Sequence, residues 1–195
     1  MLRIIAGKYR GRKIEQPATD LTRPTVDRVK EAMFSMIDSI LRAQETPWPQ
    51  MRALDLFAGS GALVLESISR GASFGLMIEP GAAAFKTIQK NMETLKVGND
   101  VQVLRKSALD LGLFSNTFKN DLPFSLIFLD PPYAFKELDL LLENLLKNQW
   151  ASPNALFVFE LSNEAATPTH PGLEILKERT FGRIKIVISR VQQIS

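Results

Sequence analysis

From Ala53 onward, short apolar runs alternate with stretches of helical spacing, and this alternation limits the possible folds more than any other feature of the chain. ALDLF, a strand pattern, leads through the turn AGSG into helical ALVLESISR, which stops at Gly71. FGLMIE leads into PGAAAFKTIQKNMETLK, which stops near Gly98. VQVL reads as a third strand, LIFLD as a fourth followed by helical FKELDLLLENLLKN, and ALFVFEL as a fifth. The tail EILKERTFGRIKIVISRV reads as two strands pairing antiparallel about Phe181-Gly182. Successive strand-helix units demand right-handed crossovers and a parallel sheet, so the expectation is an α/β fold with helices on both faces.

Ahead of this unit, LRIIAGKYRGRKIEQP has the pattern of a β-hairpin around a glycine-containing turn. TRPTVDRVKEAMFSMIDSIL places Val26, Val29, Met33, Met36, Ile37 and Ile40 on one helical face, with Thr25 as the expected N-cap and Asp27 at the positive helix start. ETPWPQ ends that helix. We therefore expect residues 1–50 to form an N-terminal extension and residues 51–195 a single compact core. At 195 residues, 45% of them hydrophobic, the chain can bury such a core without staples.

Charge is unevenly placed. Residues 1–30 hold eight bases against three acids, a net +5 in a chain whose total is +3, so the remainder is −2. A basic head of this kind suits a polyanion, because clustered Lys and Arg gain affinity by displacing phosphate counterions; a solvated surface accounts for the charge alone equally well. There is no cysteine, which excludes disulfides, thiolate metal sites and cysteine nucleophiles. The single histidine, His170 in TPTHPG, reads as a structural loop residue, so triads and histidine-based metal sites are not expected, nor any metal. The first residues lack a signal-peptide pattern and no apolar run has transmembrane length; the expectation is a cytoplasmic monomer with no membrane partner.

In an open α/β sheet, ligands bind at the carboxyl ends of the strands, where strand order reverses. The polar motifs all fall there. Asp55, Phe57, Ala58, Gly59, Ser60 and Gly61 follow the first core strand, Glu79 and Pro80 the second, Ser107 and Ala108 the third, and Asp130, Pro131, Pro132 and Tyr133 the fourth. The glycines permit a sharp turn and close backbone approach, but their spacing departs from a dinucleotide fingerprint, which would put a small residue where Val64 stands. Asp55 can meet a cationic group and Glu79 a ribose, a combination that fits a positively charged nucleoside such as S-adenosyl-L-methionine. Either acid could instead be a helix cap or a surface acid; their positions at successive strand ends favour the cofactor.

Asp130-Pro131-Pro132-Tyr133 is more than a strand stop. Two prolines remove two N–H donors and leave an acceptor-rich edge. If Asp130 and the Pro131 carbonyl accept the two hydrogens of an exocyclic amine, its lone pair is turned toward an incoming methyl group and Tyr133 can stack on the base.

At this point the sequence resembles class I S-adenosylmethionine-dependent methyltransferases, and more closely the bacterial RsmD-type enzymes that methylate the N2 amino group of a guanine in 16S ribosomal RNA. RIIAGKYRGRK, TRPTVDRVKEAMF, LDLFAGSGALVLESISRGA and LIFLDPPY carry the resemblance, which spans nearly the whole chain. It implies a Rossmann-like, seven-stranded, mostly parallel sheet with an antiparallel last strand. It also implies S-adenosyl-L-methionine held over Asp55 to Gly61, with Glu79 at the ribose and Asp130 beside it, and S-adenosyl-L-homocysteine as product. The expected partner is 16S rRNA or an assembling small ribosomal subunit. Arg3, Lys8, Arg10, Arg12 and Lys13 become candidates to grip RNA phosphates, with Arg23 and Thr25 beside the site. Two departures stand out: Ser107 replaces an acid usual after the third strand, and the TFGRIKIVIS tail lacks an acid after its glycine. An amino-group methyltransferase acting on DNA adenine, another RNA or a protein glutamine could use the same Asp-Pro-Pro-Tyr chemistry.

Overall fold

The computed structural model of the chain describes residues 2–17, 27–117, 121–132 and 134–192. β1 (Leu2–Arg3) and β2 (Lys13–Ile14) pair antiparallel as a short hairpin, and α1 (Asp27–Ala43) follows. The core then runs β3 (Arg52–Asp55), α2 (Ala62–Arg70), β4 (Phe74–Ile78), α3 (Ala82–Leu95), β5 (Val101–Leu104), α4 (Phe114–Thr117), β6 (Phe124–Leu129), α5 (Leu138–Lys147), β7 (Ala151–Ser162), β8 (Leu173–Phe181) and β9 (Ile184–Val191).

Seven strands form one sheet in the order β5-β4-β3-β6-β7-β9-β8. β3 pairs parallel with both β4 and β6, β4 with β5, and β6 with β7, while β9 runs antiparallel to both of its neighbours, β7 and β8. This is the expected α/β sheet with a reversed last strand. The tail hairpin enters it with β9 inside and β8 at the edge. β7 extends beyond ALFVFEL at both ends: Ala151 pairs with Phe124 of β6, and β9 offers hydrogen bonds as far as Ser162.

Alternation along the strands sorts the core into two layers. Leu126, Phe128, Leu156, Val158, Ile186 and Ile188 face α1, α2 and α3, whereas Ile127, Leu129, Phe157, Phe159 and Val187 face α5 and Trp150. Helices thus cover both faces. α1 buries Val29, Met33, Met36, Ile37 and Ile40 as the spacing predicts, and also Lys30 and Phe34; Thr25 and Val26 lie outside the described residues.

The N-terminal hairpin is fastened to α2 by polar groups. Glu66, fully buried, accepts the Ile5 N–H at 2.7 Å and the Ala6 N–H at 3.0 Å, and pairs with Arg70 at 3.0 Å and with buried Lys30 at 3.6 Å. Lys30 also donates to the Arg3 carbonyl at 2.6 Å, and Arg70 reaches Asp38 at 2.8 Å. Desolvation lowers the Lys30 pKa, and the Glu66 and Asp27 charges oppose that shift. At the hairpin tip, Gly7 takes φ +79 directly against α2: a Cβ there would lie 1.7 Å from the Ser69 carbonyl oxygen. The Lys8 and Tyr9 N–H groups bond that carbonyl and the Ser69 hydroxyl, at 2.7 and 2.9 Å.

These ties also orient α1. Lys30 stands level with Glu66 and Asp38 with Arg70, so α1 runs in the same direction as α2, and its first turn points toward the carboxyl ends of the strands.

Candidate active site

Strand order reverses between β3 and β6: from β3 the chain winds outward through β4 and β5, then returns to β6 on the other side. Asp55 ends β3 and Asp130 follows β6, so this reversal places two carboxylates on adjacent strands, with the Leu56 N–H bonded to the Phe128 carbonyl at 3.2 Å between them. Asp55 is 2% exposed and its Oδ1 accepts the Phe57 N–H at 3.1 Å. Burial pushes its carboxyl up to about 7; the Phe57 hydrogen bond opposes the rise, and the Asp130 and Glu79 charges add to it. Asp130 is half-buried in the mouth and desolvation raises its pKa as well. The two charges repel, so ionising Asp130 further disfavours ionising Asp55.

The glycine turn is held from two sides. The Ala58 N–H bonds the Ile78 carbonyl at 3.1 Å, and the Gly59 N–H bonds Glu79 Oε2 at 2.9 Å. Glu79 Oε1 accepts the Gly81 N–H at 2.7 Å, so one carboxylate straps the turn after β3 to the turn after β4. Gly61 caps α2 with φ +78, and a Cβ there would sit 2.6 Å from Met77 Sδ; only glycine lets the turn close down on β4. Pro80 is exposed and its carbonyl accepts from Arg105 Nε at 3.5 Å.

After β5, the Ser107 hydroxyl accepts the Leu109 N–H at 3.3 Å and caps a single 3-10 turn, with Ala108 buried beneath it. The Ser107 side chain therefore shapes this wall of the site as a turn cap. After β6, the Phe135 N–H bonds back to the Pro132 carbonyl at 2.8 Å, while the Pro131 carbonyl accepts no hydrogen bond among the described residues. Among the described residues, the Pro131 carbonyl beside Asp130 is thus left as an acceptor. Tyr133 lies outside the described residues, as do Arg23 and Thr25. Phe57 and Phe135 meet edge to face at 5.1 Å, joining the glycine turn to the Asp-Pro-Pro loop.

Sequence reasoning missed four contributors. Asn91 of α3, 1% exposed, donates from Nδ2 to the Ser60 carbonyl at 2.9 Å and to the Glu15 carbonyl at 3.0 Å, and accepts the Glu15 N–H at 2.8 Å. It ties the glycine turn to the exit of the hairpin. Its signal was present: Ile88, Asn91 and Leu95 form the buried stripe of α3, and an amide there must find partners. Glu66 and Lys30 likewise sit on buried helix faces. Phe135 carried no signal, since its contact is made across loops.

The five hairpin bases are all exposed, and they lie at different distances from the mouth. Lys8 and Tyr9 dock at Ser69, eight residues into α2 from Gly61, about 12 Å along the axis at 1.5 Å per residue. Arg3 pairs with Asp27 at 2.9 Å and Arg12 donates to the Thr94 carbonyl at 3.2 Å. His170 accepts the Gly172 N–H at Nδ1 and meets Glu143 at 3.2 Å through Nε2, the structural loop role expected of it. Among the described residues, no group of three or more His, Asp and Glu could hold a metal ion, and no helix is long and apolar enough to cross a membrane.

This sheet order, with one reversed strand beside the edge and polar loops at the carboxyl ends, is the Rossmann-like fold of class I methyltransferases. The N-terminal domain of human METTL16 in complex with SAH shares it, with a TM-score of 0.69 at 14% identity over 91% of this chain and 75% of that one. The chain belongs to the family described as Conserved hypothetical protein 95, whose model matches residues 2–190. The Haemophilus influenzae protein named Ribosomal RNA small subunit methyltransferase D is 35% identical over 93% of this chain and 89% of its own length. Its Escherichia coli namesake is 34% identical over 94% and 86%. The solved structure of yhhF from Escherichia coli, described there as a candidate methyltransferase, superposes with a TM-score of 0.80 at 33% identity over 98% of both chains.

Proposed function

We propose that this protein transfers a methyl group from S-adenosyl-L-methionine to the exocyclic N2 amino group of a guanine in 16S ribosomal RNA, on the RNA itself or in an assembling small subunit. Activity on ribosomal RNA rests on the relatives that bear that name at 34–35% identity over most of the chain. The choice of an amino nitrogen rests above all on the acceptor pair offered at the strand-order reversal by Asp130 and the Pro131 carbonyl, which has no partner among the described residues.

The residues present suit the cofactor. The Asp55 carboxyl is buried with one backbone donor, the Glu79 carboxylate is already oriented by two N–H groups, and the Gly61 turn brings backbone close. Asp55 and Glu79 would hold it by its cationic and ribose parts, with Ser107, Ala108 and Pro80 bounding the base. S-adenosyl-L-methionine supplies, when bound, an electrophilic methyl on sulfur and leaves as S-adenosyl-L-homocysteine. Asp130 and the Pro131 carbonyl accept the two amine hydrogens, which turns the nitrogen lone pair away from them; Tyr133 is assigned the stacking face. Once the amine has gained its methyl it is cationic, and the ionised Asp130 carboxylate is the nearest group to draw off the proton. Phe57 and Phe135 exclude water from one side. A base reached in this way must leave its stack, so the RNA binds in an open or flipped form.

The test is transfer of a labelled methyl group to unmodified small subunits, to protein-free 16S rRNA, and to DNA and protein controls, followed by mapping of the modified nucleotide. Label at guanine N2 is expected. Asp130→Ala should abolish transfer while leaving calorimetric binding of S-adenosyl-L-methionine within a few-fold of wild type. Label on a protein or on DNA adenine, with none on rRNA, would overturn the reading.

A further inference from the structure

The hairpin is one wall of a larger basic surface whose other wall is α3. Its second arm lies along that helix: Arg12 donates to the Thr94 carbonyl at 3.2 Å, Lys90 pairs with Glu15 at 2.6 Å, and Asn91 brackets the Glu15 backbone. Residues 2–17 and 82–97 together hold eight bases (Arg3, Lys8, Arg10, Arg12, Lys13, Lys86, Lys90, Lys96) against two acids, Glu15 and Glu93. That is +6 on this flank, leaving −3 for the rest of a chain whose total is +3.

All eight bases are exposed; Lys90 pairs with Glu15 and Lys96 suits the negative end of α3, whereas Lys86 has no ion pair among the described residues. Lys86 and Lys90 are four residues apart on one helix face, an arrangement that costs a few tenths of a kcal/mol in repulsion. Glu15 offsets it for Lys90 only. Lys86 stands five residues beyond Gly81, the glycine that orients Glu79, and Lys96 closes the far end of the helix. Lys86, Lys90 and Lys96 therefore span about 15 Å of the helix axis at 1.5 Å per residue, with Lys86 nearest the mouth and Lys96 about a quarter-turn round the helix from it. A phosphate backbone is the ligand whose charge repeats along such a span.

We propose that the strand leading to the reactive nucleotide runs along the exposed side of α3 beside the hairpin, with Lys86 and Lys96 making phosphate contacts that continue those of the hairpin. This rests on the proposed rRNA methylation and extends it: the substrate is gripped on the α3 side of the site, over more of its length than the hairpin alone reaches.

Binding of a protein-free 16S rRNA fragment is measured at several KCl concentrations for wild type, for Lys86→Gln/Lys96→Gln, and for Lys147→Gln at the end of α5 on the opposite sheet face. Each lost phosphate contact on single-stranded RNA should reduce the slope of log K against log salt by about 0.7, so the double variant should lose roughly 1.4 in slope and roughly ten-fold in affinity near 0.1 M salt. Lys147→Gln should match wild type, and all three should bind S-adenosyl-L-methionine alike. Wild-type affinity and slope in the double variant would overturn the proposal, as would a loss seen only with assembled particles, which would make a ribosomal protein the partner of this surface. If the wild type itself bound neither RNA nor particle, the proposed function would fail and this inference with it.

Discussion

Replacing Asn91 by aspartate isolates the link between the glycine turn and the hairpin, because the substitution keeps the side chain's shape and its acceptor while removing its donor. Oδ1 would still receive the Glu15 N–H, now at 2.8 Å. The carbonyls of Ser60 and Glu15, at 2.9 and 3.0 Å from Nδ2, would instead face a second carboxylate oxygen. A buried polar group deprived of its partner costs about 1–3 kcal/mol, so two such losses place the destabilisation of Asn91→Asp at roughly 2–6 kcal/mol near neutral pH. For a chain of this length that lowers Tm by on the order of 10 °C. The introduced carboxyl, buried against two carbonyls, should have a raised pKa; protonated, it regains one donor, so about half the loss should return as pH falls toward 5. Urea unfolding at the two pH values and calorimetric titration with S-adenosyl-L-methionine read both consequences: lower stability, and weaker cofactor binding because the Ser60 turn is no longer pinned. A change below about 0.5 kcal/mol together with unaltered cofactor affinity would refute the role given to Asn91.

Three further outcomes follow from the same structure. Glu66→Ala removes the counterion of a fully buried Lys30 and the acceptor of two backbone N–H groups; chemical denaturation should show a loss of about 3–5 kcal/mol. Gly7→Ala puts a methyl into the Ser69 carbonyl at a positive φ, so the hairpin should detach from α2 and become the first site of limited proteolysis while the sheet persists. The Asp55 carboxyl, near 4 in an unfolded chain and about 7 when folded, is a raised group. Its contribution to stability is present below about pH 4 and lost as pH rises through 7, so Asp55→Asn should compare less favourably with wild type at pH 5 than at pH 7.5 in urea unfolding. A gap that does not change with pH would count against the raised value.

Periodicity in the sequence was sufficient for the core strands, the long core helices and the expectation of helices on both faces, since apolar burial is decided by local spacing and every strand-helix unit must cross over the same way. It also marked the residues at the carboxyl ends, because a parallel sheet puts every strand-following loop on one edge. Helix α2 and its Gly71 stop agree with the reading residue for residue, since both ends are set by local backbone chemistry.

What the sequence could not supply were the partners of polar groups brought together from far apart. Glu66 was a helix residue until the hairpin backbone met it from sixty positions away, and Asn91 was a polar break in an apolar stripe until Glu15 and Ser60 closed on it. Glu79 could be placed at a strand end, but its grip on Gly59 and Gly81 depends on how two turns approach each other. The basic head was countable, yet its location on the α3 flank follows only from where Gly7 allows close contact with α2. Local spacing determines which residues are buried and which edge of the sheet carries the chemistry. Hydrogen bonds and charges act over a few ångströms between segments whose separation in sequence carries no trace of that contact, so tertiary structure alone decides which of them meet.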